Sequence, residues 1–464
     1  MFNIKCRGLN LAALFLVVLV PIDLPAFAQS SVRSDRTTGT IVTDSGTAFK
    51  ITEGTTRNSD SGTTLFHSFE HFSPATREVI FDLQDSQNLI DTHTVTAIIS
   101  RVTGGTGSFI DGQLTILQDG QTPAPDLFLI NPNGILFGKN AQLSLPGSFL
   151  ASTAESILFS DDSTFSTANS STPSLLTIST PVGLQFGDNT GSIRLKGDGH
   201  AIATANPSFA PYLAVGMSSG LSVSPGKSLS LVGGSIDLEG SALSAPSGNI
   251  KLGGVQKGTV SLRDRILDYS DVEQFGDIAL TERSLADVSG VSPFQGAISD
   301  AGSIHLQGQN ILIDDGSLVW SQNRGLGPAG QISAIAVEQI RLTGAFPLVD
   351  VVSGIVAETV APGSAGQIGV QANQLTAEAG ATLSSRSFSA GNSGRIDIQS
   401  ERTTISGHTP IAPDVFSVVG TTAFLSGHSG EVTASTQDLK VRLMHSLAQV
   451  KAAISHSTFK RVSS

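Results

Sequence analysis

A short phrase led by glycine returns ten times along this chain and constrains its fold more than any other feature. The phrase reads glycine, any residue, isoleucine or valine, any residue, aliphatic residue. It occurs as GSIRL (191–195), GSIDL (234–238), GNIKL (248–252), GTVSL (258–262), GDIAL (276–280), GSIHL (302–306), GQISA (330–334), GQIGV (366–370), GRIDI (394–398) and GEVTA (430–434). From residue 302 the leading glycines follow one another at intervals of 28, 36, 28 and 36 residues.

The phrase alternates apolar and polar residues, which is typical of a half-buried strand. Glycine before the strand allows a tight corner, because glycine can adopt positive φ. A unit that returns every few tens of residues indicates a solenoid, and strands make it a β-helix with inward ladders of Ile, Leu and Val. With coils of roughly 20–25 residues we expect about 18–20 coils and a rod of about 90 Å. A β-sandwich is the alternative, but it has no such phrase.

The N-terminus has the pattern of a secretory signal peptide over residues 1–28. Lys5 and Arg7 form a basic start, residues 9–22 are apolar, and small residues precede a cleavage point between Ala28 and Gln29. A membrane anchor is the alternative. The apolar run is short for a transmembrane helix, so the signal peptide is preferred.

Composition excludes several classes of site and partner. The single cysteine, Cys6, lies inside the signal peptide, so the exported chain has no disulfide framework and no thiolate metal site. Charged residues are only 14% of the chain, and the net charge is −12. With no basic patch before the C-terminus, nucleic acid is not expected as a partner.

The last residues, 439–464, differ from the rest and form a divergent basic tail. After Asp438 the chain has five basic residues and no acidic one. The segment VRLMHSLAQVKAAIS within the tail has a helical apolar spacing. The tail is either a cap over the open end of the rod or the stump of a longer or disrupted reading frame, and the sequence leaves both open.

The stretch DLFLINPNGILFG, residues 126–138, interrupts an apolar run with a strong turn signal. Pro132 presets φ, and Asn131 can accept a hydrogen bond from the backbone ahead of it. Asn133 tolerates bridge or left-handed angles, and Gly134 suits the fourth turn position. The pattern predicts two strands joined by a tight turn.

The surroundings of this turn resemble the N-terminal secretion domain of filamentous-haemagglutinin-type exoproteins. The resemblance rests on IISRVTGGTGSFIDGQL (98–114) and LFLINPNGILFGKNAQLSLPGSFLASTAESILF (127–159). It is strong over about residues 35–160 and fades towards about residue 260. The family's second motif, Asn-Pro-Asn-Leu, is absent, and Gln87-Asn88-Leu89 is at best a remnant of it.

The resemblance implies a right-handed parallel β-helix, a β-solenoid of the pectin-lyase-like kind, in a single elongated rod. It implies export through the periplasm of a Gram-negative-type envelope, then through a dedicated outer-membrane β-barrel transporter that recognises the N-terminal domain. The secretion motif carries over to Asn131, Pro132, Asn133, Gly134 and Ile135.

We expect a secretion domain over 29–270 and a β-solenoid repeat region over 271–438, before the tail. The exported protein would be extracellular or held at the cell surface. It would act in adhesion, haemagglutination or another surface interaction, with a cell-surface or glycan receptor.

Motifs of catalysis and metal binding are better explained as chance matches. His67-Ser68-Phe69-Glu70-His71 fits a zinc-peptidase pattern, but its flanks alternate like a strand, on which positions i and i+4 lie about 13 Å apart. Residues 216–220 fit G-x-S-x-G, but no helix is expected after them.

The adjacent acids Asp161-Asp162 and Asp314-Asp315 are expected in turns, because neighbours on a strand point opposite ways. Trp320 is expected to pack in the core or on the surface. No catalytic residue, metal ligand or cofactor is therefore predicted, and the protein is not expected to be an enzyme. A β-helix polysaccharide lyase or hydrolase is the alternative, and a truncated remnant of a longer adhesin without a binding partner is another.

Overall fold

The computed structural model describes residues 30–59, 62–85, 94–119, 123–168, 181–188, 190–263, 266–291, 298–346, 351–409 and 414–442. Throughout these residues the regular secondary structure is β-strand, and none of them belongs to an α-helix. The scarcity of helix formers and the abundance of Val, Ile, Thr and Gly account for this.

The first twelve strands, in chain order, are β1 Ser31–Ser34, β2 Thr40–Asp44, β3 Ala48–Glu53, β4 Thr55–Ser59, β5 Gly62–Ser73, β6 Glu78–Asp82, β7 Val95–Val102, β8 Ser108–Ile110, β9 Gln113–Leu117, β10 Asp126–Ile130, β11 Ile135–Phe137 and β12 Gln142–Ser144. The next twelve are β13 Phe149–Ser152, β14 Ser156–Phe159, β15 Thr164–Ser166, β16 Pro181–Phe186, β17 Ile193–Lys196, β18 Ile202–Ala203, β19 Leu213–Ala214, β20 Gly220–Ser222, β21 Ser228–Gly233, β22 Ile236–Glu239, β23 Ala242–Ser244 and β24 Asn249–Arg263. The remainder are β25 Ile266–Phe275, β26 Ile278–Thr281, β27 Leu285–Asp287, β28 Ser303–Ile313, β29 Leu318–Asn323, β30 Ile332–Leu342, β31 Gly354–Thr359, β32 Ile368–Glu378, β33 Thr382–Ser387, β34 Ile396–Ser406, β35 Val418–Ala423 and β36 Val432–Arg442.

Parallel pairing stacks most of these strands into three faces around one apolar core. Eleven strands form the first face: β5, β7, β10, β13, β21, β24, β28, β30, β32, β34 and β36. One inward column on this face is Leu65, Ile98, Leu127, Phe149, Leu229, Ile250, Ile304, Ile332, Ile368, Ile396 and Val432, and each member is at most 2% exposed. The prediction of a parallel β-helix with aliphatic ladders is confirmed.

The second and third faces complete each coil. The second face has β8, β11, β17, β22 and β26, followed by the last residues of β28, β30, β32, β34 and β36, which bend from one face into the next. The third face has β20, β23, β27, β29, β31, β33 and β35, and the sheet of β2, β3, β6, β9 and β12 precedes it. Inward residues of all three faces form one continuous hydrophobic cluster.

The expected coil of 20–25 residues is right for the coils from Leu127 to Phe149 and from Leu229 to Ile250, but it is too short for the coils after residue 302. Each interval of 28 or 36 residues contains one passage through all three faces, as in β28, then β29, then β30. The first face therefore counts eleven stacked strands among the described residues, which is about 48 Å at about 4.8 Å per coil. The estimates of 18–20 coils and about 90 Å are wrong, because long corner loops and lateral strands take up many residues.

GTVSL (258–262) is the one phrase of the ten that lies outside the stack. It forms the second half of β24, after that strand has left the first face. There it pairs antiparallel with β16 on one side and β25 on the other. Alternation in the sequence thus predicts the strand correctly but not the sheet that it joins.

The leading glycines matter for close packing and not for φ. Gly302, Gly330, Gly366, Gly394 and Gly430 form a column in which an added Cβ on each would collide with the carbonyl oxygen of the glycine one coil earlier, which is Gly248 for Gly302. None of the five has a positive φ, so the conformational freedom of glycine is not used at these positions. Positive φ occurs instead at the corner between the second and third faces, at Asp315, Gly316, Gly344, Ala379, Gly380 and Gly407.

Three additions cover the outside of the coils. The N-terminal strands β1 and β4 pair antiparallel with β5 at the start of the rod. A lateral antiparallel sheet of β14, β15, β16, β25 and the end of β24 covers outward apolar residues of the first face, including Phe66 and Ile99. Residues 200–217, called here the docked hairpin, carry β18 and β19 and pack on the outside of the third face.

Candidate secretion site

The Asn-Pro-Asn-Gly-Ile motif forms the corner at which one coil turns from the first face to the second. β10 ends at Ile130 on the first face, and β11 begins at Ile135 on the second. The two strands do not pair with each other: β10 lies between β7 and β13, and β11 lies between β8 and β17. The two predicted strands and the turn are present, and the turn is a corner of the β-helix.

The local geometry of the turn agrees with its residue types. The Gly134 backbone N–H donates to the Asn131 carbonyl at 3.1 Å, which closes a four-residue turn. The Asn131 side-chain Oδ1 accepts the Asn133 N–H at 3.0 Å, the bond expected for an asparagine that starts a turn. Gly134 has φ of 103°, which only glycine adopts without strain.

The Asn131 side chain also ties this corner to the preceding coil. It is fully buried, and its Nδ2 donates to the Thr106 carbonyl at 3.0 Å and to Ser108 Oγ at 2.9 Å. One buried amide therefore satisfies two donors of Asn133 within the turn and two acceptors in the neighbouring coil. A buried amide that loses such partners costs about 1–3 kcal/mol, so this position is specific for asparagine.

Further contacts fix the corner to the coil that follows. The Gly191 N–H donates to the Pro132 carbonyl at 2.8 Å, and the Ile135 N–H donates to the Ser192 carbonyl at 3.0 Å. An added Cβ on Gly191 would meet the Asn133–Gly134 backbone within 2.7 Å. The Ile135 side chain is buried in the second-face column next to Ile193. The motif is thus clamped between two coils.

Only part of the motif faces solvent. Asn133 is exposed, and its Nδ2 donates to the Gly104 carbonyl at 2.8 Å. Pro132 and Gly134 are half-buried, whereas Asn131 and Ile135 are buried. A partner could touch Asn133 and Pro132 directly, but it could sense Asn131 only through the turn that this residue holds.

A second polar cluster near the motif was missed by the sequence analysis. Arg101 is only 2% exposed on the outside of the first face, and its Nε donates to Ser68 Oγ at 2.8 Å. Ser68 Oγ and Thr103 Oγ1 donate to one Asp35 oxygen at 2.6 and 2.9 Å, and the Arg101 guanidinium lies 4.2 Å from the Phe165 ring centre. Arginine within the apolar strand IISRV was the available signal. The cluster joins the N-terminal segment, the first face and the lateral sheet.

The charge of Asp35 depends on this network. Burial alone would raise the pKa of Asp35, but hydrogen bonds from Ser68, Thr37 and Thr103 together lower it below its usual value. An ionised Asp35 near Arg101 gives the cluster its charge complementarity. The cluster has a structural role, because Asp35 and Arg101 both form contacts that join separate segments of the chain.

Residues with apparent catalytic or metal motifs occupy structural positions. His67 and His71 lie on strand β5, as predicted, and His67 is buried beside Thr40 with an Nδ1–Oγ1 distance of 3.1 Å. Asp162 and Asp315 lie in turns at positive φ, and residues 216–219 form bends and loops with no helix. Across the part of the chain that the structure describes, no group of three or more His, Cys, Asp or Glu could hold a metal ion.

Some predicted features lie outside the described residues. These are the signal peptide with its cleavage point at Ala28 and Gln29, the Gln87-Asn88-Leu89 remnant and the tail beyond residue 442. Among the described residues, none forms a helix of the length and hydropathy needed to cross a bilayer.

The stacked parallel strands and the clamped corner turn place the protein in the class of parallel β-helix solenoids. The chain is a member of the family described as the TPS secretion domain, whose model matches residues 30–306. It therefore carries the secretion domain of a two-partner-secretion exoprotein, and the predicted resemblance is confirmed.

The crystal structure of the HMW1 secretion domain from Haemophilus influenzae is similar to this chain. It is 16% identical, with a TM-score of 0.47 and coverage of 92% of this chain and 96% of that one. The crystal structure of the filamentous hemagglutinin secretion domain is 12% identical, with a TM-score of 0.32 and coverage of 87% and 97%. A search of curated proteins gives no match.

Proposed function

We propose that this protein is exported across the outer membrane by a dedicated β-barrel transporter, which recognises its N-terminal domain. The observation that carries the proposal is the family match over residues 30–306. The buried Asn131, clamped between two coils, supports a role for the Asn131–Ile135 turn in presenting that domain. The division into 29–270, 271–438 and 439–464 stays a prediction.

Once outside the cell, the rod acts in adhesion, haemagglutination or another surface interaction, either released or held at the surface. The support is the architecture. The C-terminal coils present long regular outer faces. Because the inward residues of the first face hold the coils together, the outward side chains can differ without loss of the fold. A rod of this kind can display a receptor-binding surface on any of its faces.

A polysaccharide lyase or hydrolase is the second candidate function. It is favoured by one observation: the carboxylates of Glu338, Glu401 and Asp438 and the guanidinium of Arg402 line one hollow on the outside of the rod. The paired acids Asp161-Asp162 and Asp314-Asp315 give it no support, because they belong to turns.

Export is tested by expressing the full chain in a Gram-negative host with and without the candidate outer-membrane barrel. The protein is then assayed in the medium and in the periplasm. Asn131→Ala should abolish or strongly reduce export, because the substitution leaves the Asn133 N–H, the Thr106 carbonyl and Ser108 Oγ without their partner. The matched control is Asn140→Ala, which removes an exposed asparagine of the same coil whose Nδ2 bonds only Asp111.

A third variant separates recognition from stability. Asn133→Ala removes the exposed amide with its bonds to the Gly104 carbonyl and to Asn131 Oδ1, while the contacts of Asn131 with Thr106, Ser108 and the Asn133 backbone N–H remain. Loss of export with an unchanged unfolding midpoint would place recognition on the exposed side of the turn. Appearance in the medium without the barrel, or equal export of Asn131→Ala and wild type, would contradict the proposal.

A further inference from the structure

Three adjoining hollows follow the bend between the first and second faces in the C-terminal coils. Their volumes are about 780, 360 and 470 Å³. The first two share Asn373 and Glu401, and the last two share Val337, so the three form one continuous groove. This bend groove crosses β28, β30, β32, β34 and β36 and runs along the rod axis.

A polar residue from every coil lines the bend groove at the same position of the ladder. Asn310 pairs with Gln339, Gln339 with Gln374, Gln374 with Arg402, and Arg402 with Asp438. With a rise of about 4.8 Å per coil, these five positions extend over about 19 Å. The groove therefore presents a straight, evenly spaced row of polar groups, which suits an extended ligand with a short repeat.

Along β28, β30, β32 and β34 the groove offers side chains and no free strand edge; of the strands that it crosses, β36 alone pairs on one side among the described residues. β30, β32 and β34 are each paired on both sides, so a peptide cannot add to them as a strand. Within the described part of the chain, the side-chain amides of Gln339, Asn373 and Gln437 have no hydrogen-bond partner. Each amide has two donors and an acceptor, which complement the vicinal hydroxyls of a sugar.

The charge of the groove and one aromatic ring indicate which kind of ligand it can bind. Glu338, Glu401 and Asp438 outnumber Arg402 in the groove, and Arg402 Nε already lies 3.6 Å from an Asp438 carboxylate oxygen. This negative balance repels sulfated, phosphorylated or carboxylated chains. At one end the half-buried Phe275 lines the third hollow and offers an apolar face on which a sugar ring can stack.

We propose that the bend groove binds a neutral, unbranched, extended oligosaccharide aligned with the rod axis. Successive sugar units contact the amides of successive coils, and a terminal ring stacks on Phe275. This groove would supply the ligand-binding site for the surface interaction proposed above, and its role outside the cell rests on that proposed function. Binding itself requires only the folded protein, so failure of export and failure of binding are separate results.

The test is calorimetric titration of the chain from Gln29 to Ser464, refolded after purification, with cellohexaose and chitohexaose. The acidic comparison ligand is hexagalacturonate. We expect saturable binding of one or both neutral hexaoses with one site per chain, and no binding of the acidic one. Gln339→Ala/Gln374→Ala should weaken binding about tenfold, because two hydrogen bonds are lost. Gln331 is exposed and lies outside the groove, so Gln331→Ala should leave the binding affinity unchanged.

Unfolding midpoints of all variants are measured first, so that a loss of affinity is not confused with a loss of fold. Phe275→Ala should also weaken binding. Four results would overturn the proposal: no binding of either neutral hexaose at millimolar concentration, stronger binding of hexagalacturonate, equal affinity of wild type and the double variant, or shortened oligosaccharides after incubation. The last result would make the groove an active site.

Discussion

The N-terminal part of the rod, up to residue 291, and the C-terminal coils over 303–442 share three faces but keep their strands in register differently. The N-terminal part uses particular polar contacts, such as those of Asn131 and Arg101, and is covered by antiparallel additions. The C-terminal coils repeat one design with stacked glycines and aliphatic columns. Specific polar contacts fix one register at one place, whereas repetition lets similar coils be added one after another.

The two parts are nevertheless connected through the docked hairpin. Glu358, on the outside of the third face, is fully buried under residues 200–217. Its Oε1 accepts the Tyr212 backbone N–H at 3.0 Å and Trp320 Nε1 at 3.1 Å, and its Oε2 accepts Arg386 at 2.8 Å. Arg386 donates in turn to the Pro207 carbonyl at 2.7 Å. Residues of the family-matched segment therefore complete their packing only with coils that lie after residue 306.

The largest effect is expected from breaking this connection. Glu358→Ala leaves Arg386 buried without its carboxylate partner and leaves Trp320 Nε1 and the Tyr212 N–H without an acceptor. Removal of one member of a buried ion pair costs about 3–5 kcal/mol. We expect the free energy of unfolding to fall by this amount in urea titrations, and residues 200–217 to become sensitive to protease.

The matched control for this prediction is Glu378→Ala. Glu378 forms an ion pair with Arg341 at 2.6 Å, but both side chains are solvent-accessible. An exposed pair of this kind contributes about 0–1 kcal/mol. If the two alanine variants were equally stable, the docking of residues 200–217 on the third face would not depend on the buried pair.

The next largest effect concerns the repeated design of the C-terminal coils. In Gly366→Ala the new Cβ would collide with the Gly330 carbonyl oxygen, which belongs to backbone and cannot turn aside. We expect a loss of about 1–3 kcal/mol or more in the free energy of unfolding, measured by denaturant titration. Gly369→Ala, three residues later in strand β32, is the control, since its Cβ would meet only the flexible Gln331 side chain at 3.2 Å. Equal stability of the two variants would show that the glycine column is not needed for close stacking.

These two predictions show what the sequence could and could not reveal. The aliphatic ladders, the strand over His67 and His71, and the bond from the Asn133 N–H to Asn131 follow from local patterns of two to four residues. The contacts of Asn131 with Thr106 and Ser108 depend on the register between coils, which local alternation does not define.

The burial of Glu358 and Arg386 under a distant segment could not be predicted from the sequence either. Glu358 and Arg386 occupy outward positions of strands β31 and β33, where alternation predicts exposed charge. They are buried because the docked hairpin covers them. Tyr212 of this hairpin, which contacts Glu358, lies 146 residues earlier in the chain. Trp320 packs in the same place, so its predicted packing role is confirmed. The number of coils failed for a different reason: long corner loops and lateral strands take up many residues between the faces, and each phrase reports one strand only.

The smallest effect sharpens the comparison at the N-terminal end, where a histidine stands in an inward column. His67 shares its ladder position with Ser100 and Leu129, and burial lowers its pKa from 6.5 to about 3. The unfolded chain is therefore protonated at this histidine below about pH 6.5, whereas the folded chain is protonated there only below about pH 3. Stability from this residue is complete above pH 6.5 and falls as pH drops through that value, by about 1.4 kcal/mol between pH 7.5 and 5.5.

His67→Leu should remove that part of the pH dependence, since leucine already fills the same column at Leu129. The free energy of unfolding is measured in urea at pH 7.5 and 5.5 for wild type, His67→Leu and the exposed-site control His428→Gln. We expect the wild type and the control to lose about 1.4 kcal/mol more than His67→Leu over this interval. An identical loss in all three would mean that His67 is protonated in the folded chain. The start of the rod would then be open to solvent at this position, unlike the closed aliphatic columns of the C-terminal coils.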